Sequence, residues 1–308
     1  MKTHPKAVRR LSARLQIVLT VALGLVVFNA GLMTQSRAAT TKAASAPQRI
    51  VSLAPSITEV LFAAGCGGRV IGVTSYCRYP AEATRLAKVG GYITPSYEAI
   101  AALHPDLIVL LPEHEDAQRS LTALGYHTLE LDHRSIAGVL DSIRTIGERC
   151  GTRPQGDALL TELQGRLNRV ADTIAGRPRP RVVISVARDQ ERGFGALTAA
   201  APGGIHDDLL TRAGGRNALP PGPILHPALS PESLLRLNPD AIVELVPGPP
   251  DRERVRAEWH ALSSLDAVRR NRVLVFNDDY LPVPGPRLVR FVERLAQALH
   301  PDARWRTP

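Results

Sequence analysis

The sequence predicts an α/β protein made of two pseudo-equivalent lobes with parallel-rich sheets, joined by one long α-helix. Short β-branched runs alternate with helical stretches over residues 49–151 and again over 179–300, the pattern of parallel sheets with helical crossovers. Between the two series Leu159, Leu163, Leu167, Val170 and Ile174 recur at steps of four, four, three and four, which is one amphipathic helix. A segment also occurs twice. Residues 95–111 (PSYEAIAALHPDLIVLL) and 229–245 (LSPESLLRLNPDAIVEL) agree at eight of seventeen positions when offset by 134, and they fall at matching places on either side of that helix.

In the first lobe, Arg49–Leu53 is a β-branched run that ends at Ala54-Pro55. Ser56 and Glu59 read as a capping box for an apolar helix to Ala64, with Gly65 as its stop. Val70–Thr74 is the next strand and Tyr97–Leu103 a short helix; His104-Pro105-Asp106 turns the chain into a buried strand, Leu107–Leu111. Thr128–Leu131 is a further strand. Ile136–Arg149 is a helix with Ile136, Leu140, Ile143 and Ile146 on one face. The long helix covers 155–176, about 33 Å at about 1.5 Å per residue, and Arg177-Pro178-Arg179-Pro180 ends it. A continuous helix absorbs little backbone rotation, so small lobe motions are expected in place of a wide hinge. The second lobe repeats the theme. Its strands are Arg181–Val186, Ala241–Val246 and Val273–Asn277, and its helices Ile205–Ala213 (stopped by Gly214-Gly215), Ser230–Leu237 and Pro286–Leu299.

The 308 residues are 44% hydrophobic and 22% charged, which excludes wholesale disorder and fibrous structure. A formal net charge of +9 would raise nucleic acid as a partner. Six of the basic residues, Lys2, Lys6, Arg9, Arg10, Arg14 and Arg37, lie in residues 1–38 with no Asp or Glu, and removing them leaves only +3. The same stretch has a basic start, an apolar run from Ile17 to Met33 and a small-x-small site at Ser36-Arg37-Ala38, the anatomy of a secretory signal peptide cleaved after Ala38. A retained single span is the alternative. The expected organisation is a signal peptide (1–38), a linker (39–48), an N-terminal lobe (49–151), the inter-lobe helix (152–178), a C-terminal lobe (179–300) and a tail (301–308).

Three cysteines, Cys66, Cys77 and Cys150, allow at most one intramolecular disulfide, and their spacing suits neither a zinc knuckle nor a redox pair. Packed thiols are the expected state, with Cys66 and Cys150 the pair to test. The chain carries no P-loop, G-x-S-x-G or H-E-x-x-H motif. Its nine histidines are scattered, among them His104, His127, His133 and His206, and read as solvated surface residues and not as a metal centre. An enzyme therefore has no motif to support it. Ligands of open α/β sheets bind beyond the carboxyl ends of the strands, so the loops there are the candidates. With aromatics at only 4%, it is notable that Tyr76, Tyr79, Tyr92 and Tyr280 fall in such loops, together with His226 and Asp279. Aromatic rings suit a large, flat, partly apolar ligand.

The runs Arg49–Ser56, Gly72–Pro80, Lys88–Gly91, the two Pro-Asp-x-Ile-Val repeats and Pro284–Arg287 together resemble the cobalamin-type periplasmic binding proteins of ABC importers. The resemblance covers residues 49–300, and its motifs also fit the wider helical-backbone class that binds ferric siderophores and haem. It implies two Rossmann-like lobes with a ligand held between them, cobalamin or a related corrinoid, and no resident cofactor or metal. Tyr76 matches a family aromatic that contacts the corrin. Tyr92 and His226 stand where close relatives carry Trp, Leu111 also replaces an aromatic, and Asp279 matches a polar contact whose Arg partner is replaced near Val283. On the same comparison His226 could ligate the metal of a macrocycle, and Tyr280 joins the ligand set. Arg78 and Arg287 are the cations a siderophore would use. Glu98 and Glu232, one per lobe, match acidic residues that meet arginines of a dimeric membrane permease; each also sits in a first helical turn, where a carboxylate is favoured. The protein is expected to act as a periplasmic monomer.

Overall fold

The computed structural model describes residues 46–188, 197–246 and 252–305. The predicted signal peptide therefore lies outside the described residues. Among those described, no helix is long and apolar enough to cross a membrane. Ala46–Pro308 form one compact unit containing two sheets.

The first sheet is fully parallel. Its strands are β1 (Ile50–Ser52), β2 (Val70–Val73), β3 (Ala87–Lys88), β4 (Leu107–Leu110) and β5 (Thr128–Glu130), in the order β3-β2-β1-β4-β5. The order reverses at β1, so a crevice opens beyond the carboxyl ends of β1, β2 and β4. Buried strands β1 and β4 are almost continuously apolar because helices cover both faces. The helices are α1 (Pro55–Ala63), α2 (Tyr97–Ala102), α3 (Glu115–Ala123) and α4 (Ile136–Cys150).

Helix α5 (Arg153–Ile174) bridges to the second sheet. That sheet runs β11-β10-β6-β7-β9, with β6 Arg181–Arg188, β7 Leu197–Ala199, β9 Ala228–Leu229, β10 Ala241–Leu245 and β11 Val273–Phe276; β8 (Arg216–Asn217) pairs beside β6. β10, β11 and β8 are parallel to their neighbours, whereas β7 pairs antiparallel with both β6 and β9. Helices α6 (Ile205–Arg212), α7 (Pro231–Leu237), α8 (Arg252–Trp259), α9 (Asp266–Arg269) and α10 (Leu288–Leu299) complete the lobe. One apolar core runs through both lobes, from Ile50 and Ile57 through Leu163, Leu167 and Val170 of α5 to Phe291 and Leu295. Arg166 of α5 grips Glu293 of α10 in a fork with bonds of 2.8 and 2.6 Å.

The internal repeat has a mechanical reason. In each copy a serine caps the helix: Ser96 Oγ accepts from the Ala99 amide and Ser230 Oγ from the Ser233 amide. The helix then stops at a left-handed residue, His104 (φ 43°) or Asn238 (φ 36°). The aspartate after the proline clamps the first strand of its lobe. Asp106 accepts from the Gln48 and Arg49 amides, and Asp240 from the Arg181 amide. Those same arginines reach back to the open helix end, Arg49 to the Leu103 carbonyl at 2.6 Å and Arg181 to the Leu237 carbonyl at 2.9 Å.

Three expectations are corrected. The helix after β1 has Ala54 at its N-cap and no side-chain cap, because Pro55 opens it and puts Ser56 and Glu59 inside. Cys66 and Cys150 form a disulfide that ties the end of α1 to the end of α4, and Cys77 is the buried free thiol. His133 is not a surface residue. It is 3% exposed, with Nδ1 at 2.8 Å from Ser56 Oγ. The antiparallel strand β7 and helix α3 carry no strong periodicity and were not expected.

Burial pushes the pKa of His133 down from 6.5 to about 4, with Asp132 opposing. A depressed histidine pKa gives stability that is present above the unfolded pKa and lost as pH falls through the folded one. Unfolding free energy in urea should therefore decline from about pH 6.5 toward pH 4, His133 accounting for on the order of 3 kcal/mol. His133→Asn should flatten that decline; an unchanged slope contradicts the assignment.

Candidate ligand cleft

The loops beyond the first sheet build one wall. Ser75, just after β2, donates through its amide and its hydroxyl to the Gly90 carbonyl, at 2.9 and 3.1 Å. This bond pair fastens the loop carrying Tyr76 and Tyr79 to the loop carrying Tyr92. Gly90 has φ +101°, and a Cβ at its neighbour Gly91 would meet Thr94 Oγ1 at 2.8 Å. Tyr76 is 61% exposed, Tyr79 44% and Ile93 61%. Tyr92 is half-buried, its ring edge-on to His114 with centroids 5.0 Å apart. Burial, with Glu113 nearby, pushes the Tyr92 phenol up to about 12, so it stays a neutral donor. Leu111 lies buried behind this wall.

The second lobe meets that wall through Arg287. Its guanidinium forks onto Glu59 of α1, at 3.1 and 2.6 Å, and reaches both oxygens of Asp279 at 3.0 and 2.9 Å. Tyr79 from the first lobe stacks on it, 4.0 Å from guanidinium carbon to ring centroid, and Tyr280 lies at 5.4 Å. Gly285 is required beside it, since a Cβ there would meet Glu59 Oε2 at 2.8 Å. Burial raises the Glu59 pKa, and Arg287 opposes the rise. Burial works against the Arg287 charge too, yet the two carboxylates hold its pKa above the ordinary value. A second link lies on α6, where Asp208 accepts from the Ile136 amide at the start of α4, at 2.7 Å.

Asp279 is exposed and Tyr280 is 6% exposed, so Tyr280 serves the floor of this contact more than any open surface. The arginine that meets Asp279 is Arg287, eight residues on. His226 is exposed in the loop between β8 and β9, beside the exposed Ile224 and Leu225; its ring stands edge-on to His206 at 5.9 Å. Burial, and then His226, push His206 down to about 4. Glu98 and Glu232 are exposed, each two residues past its serine cap. Ser96 Oγ donates to Glu98 at 3.1 Å, and a bond from Ser230 lowers the Glu232 pKa. Arg78 is exposed, whereas Arg287 is committed to carboxylates. Among the described residues no group of three or more His, Cys, Asp or Glu side chains could hold a metal ion. The surface grooves along Leu140–Asn168 and around Ile174–Gly214 contain none of the predicted ligand residues.

Sequence reasoning missed Glu59 as a lobe-to-lobe contact, because its position after Ser56 fitted a capping box. The signal that could have found it is an acid on the buried face of an apolar helix. His114 was missed as well, and nothing in its local sequence marks it.

A two-lobed α/β body with a loop-lined cleft is the architecture of a solute receptor. Residues 50–280 match the profile of the periplasmic binding protein family, and the chain belongs to that family. It is 30% identical over 266 residues to the uncharacterized ABC transporter substrate-binding lipoprotein YvrC of Bacillus subtilis, covering 83% of this chain and 81% of that protein. Among solved structures it is similar to the periplasmic vitamin B12 binding protein BtuF of Vibrio cholerae, with a TM-score of 0.72 at 25% identity over 82% of this chain and 97% of that one. A periplasmic heme binding protein from Pseudomonas aeruginosa aligns with a TM-score of 0.71 at 26% identity, covering 85% and 95%.

Removing one partner of a buried ion pair leaves an uncompensated charge, at a cost of about 3–5 kcal/mol. Glu59→Ala or Arg287→Ala should therefore lower the melting temperature sharply, while the double change Glu59→Met with Arg287→Met recovers most of the loss. Single variants as stable as the parent in thermal unfolding contradict a buried pair.

Proposed function

We propose that the mature protein captures cobalamin or a related corrinoid in the periplasm and delivers it to the permease dimer of an ABC importer. The observation that carries this reading is the set of exposed rings and aliphatic side chains on the cleft loops: Tyr76, Tyr79 and Ile93 on one lobe, Ile224 and Leu225 on the other. Large apolar groups held open to solvent at loop tips are costly unless a ligand covers them. Tyr76, Tyr92, His226 and Asp279 form the proposed ligand set, with rings for the flat face of the macrocycle and Asp279 for its amide rim, while Tyr280, buried against Arg287, supports them from the floor. The chemistry is binding and hand-over, with no bond made or broken. Likeness to a vitamin B12 binding structure supports the corrinoid.

Haem is the second reading. The exposed His226 imidazole, steadied by His206, offers an axial ligand to iron, and a heme binding structure is about as similar in fold.

Glu98 and Glu232 are the proposed docking points. The repeat gives both lobes the same helix cap and the same first-turn carboxylate, so a two-fold symmetric permease meets equivalent groups on each. Export through residues 1–38 places the mature monomer in the periplasm.

Isothermal titration of residues 39–308 should show one-to-one binding of cyanocobalamin that weakens about tenfold or more in Tyr76→Ala and Tyr92→Ala. Binding of haemin with silence toward cyanocobalamin moves the ligand to the second reading, and silence toward both and toward a ferric siderophore contradicts the ligand class. Glu98→Arg with Glu232→Arg should abolish uptake in cells with ligand affinity unchanged; normal uptake contradicts the docking role.

A further inference from the structure

We propose that His114 is the positioning residue of the cleft: through its Nε2–H it fixes the backbone and ring of Tyr92, and so sets how that ring meets the ligand. The inference rests on the ligand-binding reading above and assigns a role to a residue that touches no ligand itself. His114 follows β4, where Pro112–His114 form a single turn that leads into α3. It is 3% exposed. Both ring nitrogens are occupied, and their partners decide the tautomer. The Leu111 amide, 3.0 Å from Nδ1, can only donate, so Nδ1 carries the lone pair. The Tyr92 carbonyl, 2.8 Å from Nε2, can only accept, so the proton is on Nε2. One neutral imidazole therefore closes the turn after β4 and holds the loop after β3, two segments 22 residues apart in sequence. The ring also stands edge-on to the Tyr92 phenol ring, the arrangement that favours its positive edge against a π face.

The Tyr92 loop is closed at its base, where the Ser96 amide donates to the Val89 carbonyl at 2.8 Å, the Gly91 amide to the Thr94 carbonyl at 3.0 Å, and Ser75 bonds to the Gly90 carbonyl, but none of these bonds is made to Tyr92. Ile93, next to Tyr92, is 61% exposed and anchors nothing. His114 is thus the side chain from outside the loop that bonds to Tyr92 itself. Because the imidazole must be neutral and of one tautomer, no lysine or arginine can replace it: neither offers an acceptor to Leu111.

Two substitutions separate the two bonds. In His114→Asn the amide oxygen takes the place of Nδ1 and keeps the turn closed, but the side chain is too short for Tyr92. In His114→Gln the amide nitrogen takes the place of Nε2 and keeps Tyr92, at the expense of Leu111. Cyanocobalamin and haemin are the probes for affinity, and hydrogen exchange of peptides spanning 88–96 reports on the loop without any ligand. The expected result is that His114→Asn weakens binding of whichever probe the parent takes by about tenfold and speeds exchange over 88–96. His114→Gln should stay near the parent in both. Added to Tyr92→Ala, His114→Asn should cost little more, because the two act through one group. Parental exchange over 88–96 in His114→Asn overturns the proposal, as does a loss of affinity that simply adds to that of Tyr92→Ala. If the parent binds neither probe, the ligand reading has failed, and the exchange result alone decides the role of His114.

Discussion

The arrangement of the lobes depends on Arg287. Its guanidinium makes four hydrogen bonds, two to Glu59 across the lobe boundary and two to Asp279 on its own loop, and aromatic rings from both lobes flank it. A buried ion pair of this kind adds little net stability, since the attraction must first offset the desolvation of both charges. What it supplies is direction. A bidentate fork accepts one geometry, whereas an apolar contact between lobes would tolerate sliding. Gly285 shows how closely the two surfaces meet, with no space for even a methyl group beside Glu59. Lobe spacing, the floor of the cleft and the position of Asp279 all follow from this contact.

The long helix acts with it. Leu163, Leu167 and Val170 place one face of α5 inside a core shared by both lobes, and Arg166 ties the helix to α10. A spacer that was merely stiff would leave the lobes free to rock at its ends. Here one face of the helix packs into the core of both lobes, and the Cys66–Cys150 disulfide secures the elements just before it. A receptor built this way presents a cleft formed in advance of its ligand, which reduces the ordering cost of binding. Within such a cleft the set of a loop side chain is decided by its local partners, as Tyr92 is held by His114.

Much of the fold was legible because its signals are local. The repeat, the serine caps, the Pro-Asp clamps and the leucine spacing of α5 each act over a few residues, and each gave an element within a residue or two of where it lies. β7 was not legible, since a strand of only three residues gains its place from β6 and β9 on either side and not from its own pattern. The candidate site divides in the same way. Tyr76, Tyr92 and Asp279 could be placed on loops by counting strands. The Glu59–Arg287 contact spans 228 residues, and the His114–Tyr92 bond depends on which way a buried ring faces. Neither pairing is written in periodicity, which can place Glu59 on a buried helix face but cannot name its partner. Glu59 even carried a misleading signal, because its spacing from Ser56 imitates a cap. His133 misled in the opposite direction, a polar residue beside Asp132 and Arg134 that turns inward to Ser56.

The two lobes hold one spacing, fixed by the Arg287 fork and the packed helix. Pulsed electron–electron resonance between spin labels at the exposed positions Asp116 and Arg256, one in each lobe, measures that spacing directly. The parent protein should give a single narrow distance distribution, unchanged by ligand, that broadens in Glu59→Gln. A broad or two-peaked distribution in the unliganded parent, or one that Glu59→Gln leaves untouched, would contradict it.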